Sequence, residues 1–215
     1  MGRPSKKEER TEEILQAFQR CVARYGLEGS TLERIAEEAG LKRSLVRHFV
    51  GNRDDLVAKL ADRVIAESNA HWDQFLAYMP PEHGTAYLLT GLFNEYHSDD
   101  AFVLVIESLI FAAGRDPALR TKMQAWMQHF SDTVTDILRN DFPEANEADL
   151  AAVSFGMVSL YFNLDSLSPL DMNEQYRLPA KQAAERLVAT LKHSSKELNA
   201  DRPSSDKQDS TTQTH

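Results

Sequence analysis

Apolar residues recur along this chain at spacings of three and four and almost nowhere in strict alternation, the pattern of helices that bury one face. Ile14, Leu15, Phe18, Val22 and Tyr25 form such a stripe and predict a first helix over 6–25, ended by Gly26 and Gly29. Thr31 is placed to cap a second, short helix that Gly40 stops after Ala39. A third helix is expected over 42–50, before Gly51 and Asn52. Asn52 with Asp55 then makes a capping box for a long fourth helix over 53–76. Further helices are expected at 84–97, 98–113, 117–140, 146–164 and 176–193. The expected fold class is therefore all-α. Residues 194–215 are polar and are expected to form a disordered tail.

The third helix has two unlike sides. At about 100° per residue, Leu41, Leu45, Val46 and Phe49 share one arc, and Arg43, Ser44, Arg47 and His48 fill the other. Charge sharpens this. The formal net charge is -9, yet no acidic residue occurs from Ala39 to Arg53, where Lys42, Arg43, Arg47 and Arg53 all fall. Residues 1–60 carry 12 Lys+Arg against 10 Asp+Glu, while the remainder is strongly acidic. An acidic protein approaches a polyanion only if its cations are gathered in one place. Two short helices about a glycine turn, the second with a cationic outer side, suit a helix-turn-helix that enters the DNA major groove. Arginine matches guanine O6 and N7, and Ser or His adds hydrogen bonds to base edges. The plainer reading is a basic, solvated helix in an ordinary bundle.

The run "TLERIAEEAGLKRSLVRHFVGNRDDLV", Thr31 to Val57, preceded by "YGLEGST", resembles the DNA-binding domain of the TetR family of bacterial transcriptional regulators. The resemblance covers residues 8–68, with the helix-turn-helix at 31–50, and "GRDPALR" at 114–120 is similar to a segment of the family's second domain. It implies that Thr31 caps the second helix and touches phosphate, that Lys42 to His48 form the recognition helix, and that Arg53 reaches the DNA backbone, with Asn52 beside it among the DNA-binding residues. Lys42 replaces the family's usual capping Ser or Thr, and Arg47 its usual Tyr. Arg47 therefore grips either a guanine or a phosphate. Residues 1–7, with Arg3, Lys6 and Lys7, read either as a basic arm for the minor groove or as a disordered start.

The resemblance further implies that 69–193 form a larger helical domain for ligand binding and dimerisation. Segment 101–114 is apolar on nearly every side, with Glu107 its only charge before Gly114. Candidate ligand-binding residues are Tyr96, Phe102, Glu107, Phe111, Trp126, Phe130 and Tyr161, although any single such aromatic is more often core. They suit a hydrophobic small-molecule effector bearing a cation or a hydroxyl. Phe155, Phe162, Ala184, Leu187 and Leu191 are candidates for a homodimer interface between paired helices.

Other classes find little support. His129, Asp132 and Asp136 share helical spacing, but lie opposite an apolar stripe and read as a solvated face rather than a metal site. No phosphate loop, GxSxG or HExxH occurs. No catalytic residue, metal or other cofactor is expected, and the chain is read as no enzyme. One cysteine, Cys21, fits a reducing compartment, and no apolar signal core or membrane span is evident, so a cytoplasmic protein is expected. The expected function is a ligand-responsive repressor that binds a near-palindromic double-stranded operator as a homodimer. The rival is an architectural or division-linked DNA-binding protein of the same fold with no effector.

Overall fold

The computed structural model describes residues 5–93 and 99–200, with side chains to residue 192. Among the described residues the regular structure is helical throughout, without strand. The chain runs α1 Lys6–Gly29, α2 Leu32–Glu38, α3 Arg43–Val50, α4 Arg53–Ala77, α5 Gly84–Leu92, α6 Asp100–Ala113, α7 Pro117–Asp141, α8 Glu147–Ser166 and α9 Asn173–Ala200. Helix α9 continues seven residues past its expected end at 193, into the stretch expected to be a tail. It begins three residues early and carries Pro179 within it.

Local chemistry explains most boundaries. Ser5 and Glu8 form a capping box at the start of α1. Gly26, at φ 67, interrupts α1 just after Tyr25, so the last turn to Gly29 is a separate piece. Between α2 and α3 the chain reverses through Gly40 at φ 64. The Leu41 amide donates to Ala36 O (2.8 Å) and the Gly40 amide to Glu37 O (3.1 Å), the paired bonds that close a helix end around a left-handed residue. Asn52 accepts from the Asp55 amide at 2.8 Å, and Asp55 accepts from the Asn52 amide at 3.0 Å, completing the box at the start of α4. Asp116 caps α7 by accepting from the amides of Ala118 and Leu119, with Pro117 as the first helical residue.

Two apolar cores fill the molecule. The first joins Ile14, Phe18, Ile35, Val46, Val50 and Leu60 of α1–α4 to Val105 and Leu109 of α6 and to Met123 and Trp126 of α7. The second packs α5, α7, α8 and α9 around Leu88, Val134, Leu138, Met157, Ala184 and Leu191. Packing is therefore continuous across residues 68 and 69, where the sequence suggests a domain boundary. Helix α8 and the turn after it, Glu147–Leu170, are long and apolar enough to cross a bilayer by length and composition alone, with 33% of its most apolar 18-residue window buried inside the molecule.

Candidate nucleic-acid interface

The α2–turn–α3 unit is held from below. Val46 and Val50 are fully buried and fix the inward side of α3, with Leu41 and Phe49 packing on the same core. Lys59 of α4 donates its ammonium to Val50 O at 2.8 Å, placing a cation on the last carbonyls of α3. The outward side carries Ser44 and His48 at its centre, flanked by Arg47, and all three are exposed. Leu45, expected among the inward residues, instead lies on the other outward flank and is 38% exposed. The inward side is narrower than the sequence suggests, because Val46 and Val50 are the fully buried residues of α3 and Phe49 packs only at its edge.

The cations of this region divide into three groups. Arg20 and Arg24 of α1 reach Glu38 of α2 at 2.6 and 3.4 Å, and the Arg20 hydrogen bond holds the Glu38 carboxyl below its ordinary range. Arg43 pairs with Glu33 at 3.0 Å, which ties it back to α2. Arg34 donates to Gly29 O at 2.6 Å with its guanidinium 4.6 Å from the centre of the Tyr25 ring. Arg53 donates to Ser30 O at 2.8 Å and to Leu27 O. Lys42 and Arg47 remain exposed, with no carboxylate partner among the described residues.

Several expected roles shift in consequence. Thr31 does cap α2, accepting from the Arg34 amide at 3.3 Å. Lys42 stands at the cap of α3 with no side-chain bond to it, as its replacement of Ser or Thr implies. Asn52 spends its side-chain oxygen on the cap of α4. Arg53, expected at the DNA backbone, is half-buried and turned into the α1–α2 turn, whose terminal carbonyls it and Arg34 satisfy. The sequence holds no signal for that role, since the receiving carbonyls lie 23 and 26 residues away. Cys21 is buried within α1 in the first core, and burial pushes its thiol pKa up, away from reactivity.

In the larger body the aromatic candidates separate. Trp126 is buried, donates its indole N–H to Ser68 Oγ at 3.2 Å and meets Phe162 edge-on. Phe130 contacts Trp72, Tyr161 and Phe162, with ring centres 4.6 to 5.8 Å apart. Trp72 stacks on Phe75, and Phe75 on Tyr87. These rings join the two cores, and the sequence reading missed Trp72 and Phe75. Phe102 packs against the first core, and Glu107 is half-buried. Phe111 is 73% exposed under the Arg115 guanidinium, so it does not face the ring cluster. Tyr96 lies outside the described residues.

The dimer candidates separate too. Ala184 and Leu191 are fully buried against the chain's own helices, Phe162 is inside the ring cluster, and Leu187 packs on Gly156 of α8. That stripe of α9 packs on α8 of the same chain. Phe155 differs: it is 75% exposed, one turn from Ala151 and Ser159, which are also exposed. Asp132 accepts from Gln128, and Asp136 pairs with Arg139, on a solvated side of α7.

A helix-turn-helix carried on a helical body is the architecture of one-component transcriptional regulators. Comparison with known proteins makes this specific. The chain is 28% identical over 120 residues to the HTH-type transcriptional repressor AcnR of Corynebacterium glutamicum, a match covering 56% of this chain and 57% of that protein. It is 40% identical over 53 residues to AcnR of Corynebacterium jeikeium, covering 25% and 28%. The longer of these matches thus spans little more than half of the relative's length, and the shorter about a quarter. No family model matches. Among solved structures, a TetR-family regulator of Cytophaga hutchinsonii superposes with a TM-score of 0.72 at 16% identity, over 88% of this chain and 98% of that one. A TetR regulator of Haloarcula marismortui gives 0.71 at 18% identity, over 85% and 97%. These superpositions show that the chain has the fold of TetR-family regulators.

Proposed function

We propose that this chain is a DNA-binding transcriptional regulator, acting as a repressor, which binds a near-palindromic operator as a homodimer and leaves it when a small hydrophobic effector binds the larger body. The observation that carries the reading is the outward side of α3. It holds Arg47, Ser44 and His48 exposed on a helix pinned from inside by Val46 and Val50, with unpaired Lys42 at its start. Exposed cations without local carboxylates keep their charge available for phosphate and base edges. The relatives named above are repressors by name, which supports the sign of regulation.

The effector part rests on the ring cluster. Rings from α4, α7 and α8 meet there, and the buried Trp72 indole N–H has no hydrogen-bond partner. An unmet buried donor costs stability that an effector's acceptor would restore. The dimer part rests on the exposed side of α8 around Phe155, and Phe155→Glu is expected to give a folded monomer in sedimentation. The test of the whole is selection of bound fragments from genomic DNA by the full chain. Enrichment of a two-fold symmetric site supports the proposal, and no enrichment over bulk DNA defeats it. The rival without an effector is separated by a thermal-shift screen of hydrophobic compounds, which should raise the midpoint and release the selected DNA.

A further inference from the structure

Leu45 is the apolar member of an otherwise polar surface. It lies beside Ser44 and His48 on the flank of α3 opposite Arg47. Its neighbours Leu41 and Phe49 pack against the first core, whereas Leu45 belongs to neither core. A single exposed leucine is common on protein surfaces and by itself decides nothing. Its position decides more, because Leu45 shares the side of the helix that the proposed function turns toward DNA. Arg43, also exposed, pairs with Glu33 of α2 at 3.0 Å.

In the major groove, most of what the bases present is hydrogen-bonding edge, and an aliphatic side chain laid on those edges would bury them without a partner. The groove has one apolar projection, the C5-methyl group of thymine, which 5-methylcytosine shares. Leucine has no polar atom to offer and a branched end that suits a methyl. We infer that Leu45 is a specificity-determining residue that packs on a pyrimidine C5-methyl group in each half-site. This rests on the DNA-binding reading. It adds a second kind of recognition to it: Arg47 reads by hydrogen bonds on one flank of α3, and Leu45 reads by apolar contact on the other.

The experiment deletes the contact from both sides. After selection with the full-length chain, each thymine of the selected duplex is replaced in turn by deoxyuridine, which differs only in lacking the methyl. In a parallel set each cytosine is replaced by 5-methylcytosine. Affinity is measured for the wild-type chain and for Leu45→Ala. Loss of one buried methyl corresponds to about a fourfold loss in affinity. The expected result is a loss of that order at one thymine per half-site for the wild type, and no further loss there for Leu45→Ala. A gain confined to one methylated cytosine, again absent in Leu45→Ala, supports the same contact with the modified base as its source. The inference is overturned if Leu45→Ala binds every duplex as the wild type does, or loses affinity with no position coupled to it. A lowered melting temperature of Leu45→Ala would also overturn it, since that marks a packing residue. If the wild-type chain selects no DNA at all, the DNA-binding reading falls first, and this contact with it.

Discussion

A guanidinium that donates to two main-chain carbonyls has fewer N–H groups left for a phosphate. Arg53 is in that state, with Leu27 O and Ser30 O as its acceptors, while Arg47 six residues earlier has no such bonds. The two arginines should therefore fail differently. Arg53→Ala is expected to destabilise the fold by about 1–3 kcal/mol, read as a lower melting temperature, because half-buried carbonyls lose charged donors. Arg47→Ala should leave the melting temperature unchanged and narrow the gap between selected and scrambled DNA by about 1–3 kcal/mol, the value of a bidentate guanine contact. An equal loss on both DNAs would assign Arg47 to phosphate. The cluster of cations was legible from the sequence, because charge is written in residue type. Where each cation points was not, because the carbonyls, carboxylates and rings that capture Arg53, Arg43 and Arg34 are brought near only by the fold.

Helix ends were the most legible elements. Thr31, Asn52 with Asp55, and Gly40 act on atoms within a few residues, so their chemistry is readable locally. Faces were less so. An apolar stripe says that a side is buried, not what covers it, which is why Ala184 and Leu191 read as a dimer face and proved to be covered by the chain's own helices. Likewise an eight-residue helix such as α3 is too short for its pattern to settle whether Leu45 lies in or out. One close contact between elements makes a test. Gly91 of α5 meets the Phe75 ring so closely that an added Cβ would overlap it, and Phe75 is wedged between Trp72 and Tyr87. Gly91→Ala would ordinarily favour a helix by about 1 kcal/mol. Here it should lower the melting temperature and alter Trp72 fluorescence, since overpacking costs about 1–3 kcal/mol. A stabilised variant with unchanged emission would show that the ring can move aside.

At the scale of the molecule, the first core recruits Val105, Leu109, Met123 and Trp126 from α6 and α7, and further ties run the same way. Lys122 of α7 pairs with Asp62 of α4, and Trp126 donates to Ser68. Residues 1–68 expressed alone should therefore lack a cooperative melting transition, because their core would be open along one side. A sharp transition for that fragment would show the N-terminal helices to be self-sufficient. The all-α class and the order of helices were visible from periodicity, but this merging of two units was not, since contacts between α1 and α6 span some ninety residues. The merged core also bears on geometry. Heads joined to a body by a loose tether can follow half-sites set at different separations, whereas heads that share the body's core cannot. A dimer of this chain would then behave as a ruler. Each base pair added between half-sites moves one of them by about 3.4 Å and turns it by about 35°, and affinity should collapse with the first insertion rather than decline by degrees.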